Sequence, residues 1–97
     1  MGHSLAPEAR VDLLDLWSYV ADERSVETAD RLVDSISARF LLLSRHPHLG
    51  RRRDSLQPSL RSFAVGNYVV LYRVDGDDVL IRRVVRGSRD LEELFHD

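Results

Sequence analysis

Between Arg61 and Arg86 the chain reads RSFAVGNYVVLYRVDGDDVLIRRVVR, and two turn signals cut this stretch into three strand-length pieces. Gly66-Asn67 separates Arg61–Val65 from Tyr68–Val74, and Asp75-Gly76-Asp77-Asp78 separates the latter from Val79–Arg86. Turns that short force neighbouring strands to run antiparallel, so the C-terminal half predicts a three-strand meander. Successive strand side chains point to opposite faces. Tyr68, Val70, Tyr72 and Val74 therefore share one face of the middle strand, and Val69, Leu71 and Arg73 share the other. Both faces are largely apolar, which places this strand at the centre of the sheet.

The N-terminal half has a different period. His3 to Ala6 is a short strand-like run before Pro7, and proline suits the first helical turn, where its missing N–H has no partner to lose. A helix over about Pro7 to Asp22 aligns Leu13, Leu16, Trp17 and Val20 opposite Arg10, Asp12, Asp15 and Asp22. Trp17 is assigned to the core on that stripe. Ser25 caps a second helix with Glu27 in its first turn, and Ala29, Leu32, Val33, Ile36, Phe40 and Leu43 continue one apolar face. Pro47 and Gly50 close the helical hairpin. Arg45 to Leu60 has no sustained period and is read as a loop carrying Arg51, Arg52 and Arg53.

The expected architecture is one α+β domain over residues 1–97, ordered β-α-α-β-β-β. The helical hairpin covers one face of a small, mainly antiparallel sheet, because each element has one apolar surface to bury. Leu91, Leu94 and Phe95 suggest a short C-terminal helical turn. The other sheet face is expected to lie open, with strand arginines at its rim. Leu14, Leu41 and Leu42 fall outside the helical stripes, and Leu14, Leu41, Leu42 and Arg82 are the candidates for covering by a binding partner.

Charge narrows the function. The formal net charge is −2, yet nothing acidic lies between Val79 and Arg89 while Arg82, Arg83, Arg86 and Arg89 do. The basic potential is local. All fourteen basic residues are Arg, a planar fork suited to carboxylate or phosphate. A preference at every basic position reflects the coding genome more than any one site. Cysteine is absent, which excludes disulfides, thiolate nucleophiles and Cys-ligated zinc. His46 and His48 flank Pro47, but two imidazoles do not make a zinc site, and they are read as loop residues. No metal or cofactor is expected. There is no apolar run of membrane-spanning length and no secretory signal, so a cytoplasmic protein is expected.

The segments LAPEARVDLLDLWSYVADE, HPHLGRRRDSLQPSLRSF and GNYVVLYRVDGDDVLIRRVVRGSRDLEELF, in that order and spacing, resemble small toxins of the ParE branch of the RelE/ParE superfamily. The likeness covers almost the whole chain. It implies a toxin of a bacterial type II toxin-antitoxin system, neutralised by a ParD-like antitoxin whose flexible C-terminal segment wraps it. When freed, such toxins typically poison DNA gyrase and arrest growth. One departure is visible. Where ParE-like chains commonly read His-Gly-x-Arg-Asp after the last strand, this chain reads Arg86-Gly87-Ser88-Arg89-Asp90, which weakens any proton-transfer role there.

The sister RelE-like branch cleaves messenger RNA on the ribosome. That reaction needs a proton acceptor, a proton donor and cations for the phosphate. Arg83, Arg86 and Arg89 supply cations, but no Tyr or His follows the last strand until His96. The arginines therefore read as contacts with acidic groups of another protein. Target-contact candidates are Arg83, Arg86, Arg89, Arg73 and Arg61, with no catalytic residue assigned and no sequence-specific nucleic-acid binding expected. The alternatives are a RelE-like ribosome-dependent endonuclease and a nontoxic antitoxin-binding module.

Overall fold

The computed structural model describes residues 2–87. Its elements are β1 (His3–Leu5), α1 (Pro7–Glu23), α2 (Val26–Arg45), β2 (Arg51–Arg52), β3 (Leu60–Val65), β4 (Tyr68–Asp75) and β5 (Asp78–Arg86). The sheet order is β1-β5-β4-β3-β2, with β4 central as its two apolar faces require. Among the described residues only the β1–β5 pairing is parallel. The expected C-terminal helical turn lies outside the described residues.

Local chemistry explains the boundaries. Pro7 opens α1, and the Ala6 N–H just before it donates to the Ile81 carbonyl at 2.8 Å, so sheet pairing runs directly into the helix. The Ser25 hydroxyl accepts from the Thr28 N–H at 3.1 Å, satisfying one of the orphan donors at the start of α2. Gly66 and Gly76, each the first residue of a two-residue turn, have φ of 58° and 62°. A side chain there would be strained, and glycine is the residue that tight hairpins place at this position.

The main core lies between hairpin and sheet. Ile36, Phe40 and Leu43 of α2 and Ala9 of α1 meet Val70, Tyr72, Val79, Ile81 and Val84, while Leu13, Leu16 and Leu32 pack partly buried at its margin. Each large apolar side chain so buried contributes roughly 1.5–3 kcal/mol. Trp17 is only half-buried. Its indole N–H donates to Asp30 Oδ1 at 2.8 Å, so it ties α1 to α2 rather than filling the core assigned to it.

Two further expectations are corrected. The 45–60 segment is not all loop, because Arg51 and Arg52 pair with Ser62 and Arg61 as an edge strand. Two residues are too few to display a strand period. The second sheet face is not bare either: Leu60, Leu71 and Val85 are buried there, with Leu56 and Val69 packed against them. Leu56 reaches them from a turn in which the Leu56 and Gln57 N–H groups donate to the Arg53 carbonyl. That turn has no periodicity to announce it.

Candidate functional site

The arginines singled out by the sequence fall into distinct environments. The first is set by a β-bulge. On β5, Ile81 pairs with Tyr72 and Arg83 with Leu71, which leaves Arg82 as the inserted residue. β1 has already ended, its last partner being Ile81, so among the described residues no strand pairs with the outer edge of β5 beyond that point. Asp12 of α1 fills the gap. Its Oδ2 accepts from the Val84 N–H at 2.9 Å and from Arg83 Nε at 2.7 Å, and its Oδ1 accepts from the second Arg83 nitrogen at 3.0 Å. The pair is partly shielded, with side-chain exposures of 31% for Arg83 and 13% for Asp12. The hydrogen bonds to Asp12 raise the Arg83 pKa above its ordinary value, and burial only partly opposes this.

Arg61 is also held internally. It donates to the Gly50 carbonyl at 2.8 Å and to the His48 carbonyl at 3.4 Å. The same loop is gripped from below by Tyr72, which is fully buried. Its hydroxyl donates to the Pro47 carbonyl at 2.7 Å and accepts from the Gly50 N–H at 2.8 Å. Burial raises the Tyr72 pKa, offset in part by the Gly50 N–H and the Arg61 charge. A phenol whose folded-state pKa lies above its unfolded value, near 10, contributes stability that is complete below that pH and lost as pH rises through the folded value. Tyr72→Phe is therefore expected to cost about 1–3 kcal/mol at neutral pH, because it strands the buried Gly50 N–H. It should also reduce the loss of stability above pH ~10, as read from urea midpoints between neutral and alkaline pH.

Arg86 is exposed, and its guanidinium lies 5.8 Å from the centroid of the Tyr19 ring. Both line a groove of about 660 Å³ between the helical-hairpin turn and the β3–β4 turn, floored by Val20, Leu32 and Val65. Arg73 is exposed on β4, opposite Leu60 and Leu80, and Arg82 is half-buried at the bulge. Among the described residues neither has a hydrogen-bond or ion-pair partner. Arg89 lies outside the described residues. In the basic triplet, Arg52 pairs with Asp54 at 2.7 Å and Arg53 Nε donates to Ser62 at 2.9 Å.

Of the candidate partner-binding leucines, Leu14 is 66% and Leu41 50% exposed, while Leu42 is half-buried. Val11, at 54%, lies three residues before Leu14 on α1 and belongs with it. The criterion that found Leu14, an apolar residue off the helical stripe, applies equally to Val11. Among the described residues no group of three or more His, Asp or Glu could hold a metal ion, and no described helix is long and apolar enough to cross a membrane.

The family of the "ParE toxin of type II toxin-antitoxin system, parDE" matches residues 4–91. The chain belongs to that family. Among curated relatives, Toxin ParE3 of Caulobacter vibrioides is 39% identical over 80 residues, covering 82% of this chain and 80% of the relative. Toxin RelE3 of the same organism is 40% identical over 81 residues, covering 82% and 87%. Among solved structures, a chain of the chromosomal ParDE toxin-antitoxin system from P. aeruginosa superposes with a TM-score of 0.79 at 22% identity, covering 91% of this chain and 97% of that one. At that identity the likeness speaks for the fold alone. A chain of the RelBE2 toxin-antitoxin complex from Mycobacterium tuberculosis gives a TM-score of 0.62 at 27% identity, covering 88% and 95%. This ParE-family toxin thus has two helices packed on a mixed five-strand sheet, the arrangement of both solved neighbours.

Proposed function

We propose that this ParE-family chain arrests growth by inhibiting DNA gyrase through protein–protein contacts, without catalysing a reaction, and that a ParD-like antitoxin masks it by direct binding in the cytoplasm. The observation that carries the reading is the division of labour among the strand arginines. Arg83 is already held by Asp12 in a two-pronged ion pair, whereas among the described residues Arg73 and Arg82 stand unpaired beside Leu80 and the bulge. Unpaired cations next to half-buried apolar surface suit a protein partner that brings both carboxylates and an apolar face. Exposed Val11, Leu14 and Leu41 offer the antitoxin a second, apolar contact on the helical hairpin.

Purified toxin is expected to block supercoiling by gyrase or to accumulate cleavage complexes, and added antitoxin should reverse the effect. Unchanged gyrase activity at saturating toxin, with growth still arrested on induction, would sink the gyrase assignment. A second reading, ribosome-dependent RNA cleavage, draws on the RelE3 relative being as similar as the ParE3 one. It predicts cut transcripts in arrested cells, where the gyrase reading predicts intact ones. Normal growth on induction without antitoxin would leave only an antitoxin-binding module.

A further inference from the structure

The donors that converge on Asp12 form a set that recognises oxyanions in general. A guanidinium offers two parallel N–H groups and the adjacent backbone adds a third, the combination that binds carboxylates and phosphates through charge-assisted hydrogen bonds. Here the backbone builds it. The bulge at Arg82 re-aims the strand, β1 stops at Leu5, and the Val84 N–H is left facing outward beside the Arg83 fork. Asp12 comes from a different element, 71 residues away from Arg83 in sequence, and takes all three donors. We infer that Arg83 and the Val84 N–H form an oxyanion-binding cradle that the chain fills with its own Asp12 carboxylate, which stands in for a phosphate group and keeps external phosphate out.

This goes beyond the gyrase assignment and does not depend on it. Glu8, one helical turn before Asp12, adds a second negative charge felt by Arg83 and so also discourages an incoming anion. Removing the Asp12 carboxylate leaves a shielded cation and a backbone donor unpaired, and a small oxyanion restores both. A simple structural ion pair makes a different prediction, because its loss is not repaired by any ion of the right shape.

The test is titration of isotopically labelled full-length protein with inorganic phosphate, and separately with formate, at constant ionic strength, following the Val84 amide resonance. In Asp12→Ala a saturable shift is expected, with affinity for phosphate at least about tenfold above that of the wild type, which should not saturate. The thermal midpoint of the variant should rise with phosphate in parallel, since a ligand that binds only the folded state stabilises it. Adding Arg83→Gln should abolish both responses. Asp12→Ser shortens the side chain and keeps a polar group on the helix, and it is the second carrier of the test if Asp12→Ala does not fold; it too should gain phosphate binding, because it empties the space the carboxylate fills beside Arg83 and the Val84 N–H. The proposal is overturned if the folded variant shows no saturable shift, if wild type responds equally, or if the response survives Arg83→Gln, which would mark an adventitious ion only. A response to formate but not phosphate would also overturn the phosphate-mimic role.

Discussion

Gly50→Ala is expected to lower the thermal midpoint more than any other single-methyl change in the 46–61 region. A Cβ at this position would stand 2.5 Å from the Tyr72 hydroxyl oxygen, 2.6 Å from its Cε1 and 2.9 Å from the Ser62 carbonyl oxygen. None of these can yield easily. Tyr72 is buried and bonded at both ends of its hydroxyl, and Ser62 is in β3 with Arg51 of β2 paired opposite. Overpacking costs about 1–3 kcal/mol, and breaking the Gly50–Tyr72 hydrogen bond adds a similar amount. A loss of roughly 3 kcal/mol corresponds to a fall of about 12–24 °C for a domain of this size. Calorimetry on Gly50→Ala, Tyr72→Phe and the double variant checks the cause. The double variant relieves the oxygen clash but keeps Cε1 and the Ser62 carbonyl in the way, so partial rescue is expected, and additive losses would mean that the two residues do not compete for space.

That prediction rests on a contact the sequence could not announce. Gly50 was legible as the end of the helical hairpin, a generic breaker after Pro47. Its actual role depends on Tyr72, 22 residues later, whose hydroxyl needs backbone partners within the core. By contrast, the meander was legible because each of its signals is local: a positive-φ glycine in a two-residue turn and a period of two between turns. The helices were legible for the same reason. Where an element spans only two residues, as in β2, or where a single leucine such as Leu56 closes a face from an irregular turn, no window of sequence holds a pattern to detect.

The candidate site was legible in composition and not in pairing. An acid-free run containing Arg82, Arg83 and Arg86 is visible in the chain, but three neighbouring arginines of similar outlook meet three different fates. Arg83 is tied to Asp12, Arg86 leans on Tyr19, and Arg82 is displaced by the bulge. Asp12 itself looked like a solvated helix-face residue, since the helical wheel places it opposite the apolar stripe. The early end of β1 turns that position toward an unpaired strand edge, and tertiary arrangement overrides the wheel.

Those separate fates make charge reversal at Arg73 and Arg82 a test of function with little confounding from stability. Neither residue has an internal partner among the described residues, so Arg73→Glu with Arg82→Glu should leave folding within about 1 kcal/mol of wild type. Binding should respond far more. If the partners present carboxylates to these positions, reversal replaces attraction by like-charge contact, which costs several kcal/mol, or roughly a hundredfold or more in dissociation constant. The double variant is therefore expected to stay folded, lose growth arrest on induction, and bind antitoxin at least about a hundredfold more weakly, mostly through a faster off-rate. Arg83→Gln gives the contrast, because it frees Asp12 and is expected to act on stability first. If the folded double variant arrests growth as wild type does and holds antitoxin with unchanged affinity, the partners do not read these arginines, and the apolar surface at Val11, Leu14 and Leu41 becomes the one to dissect.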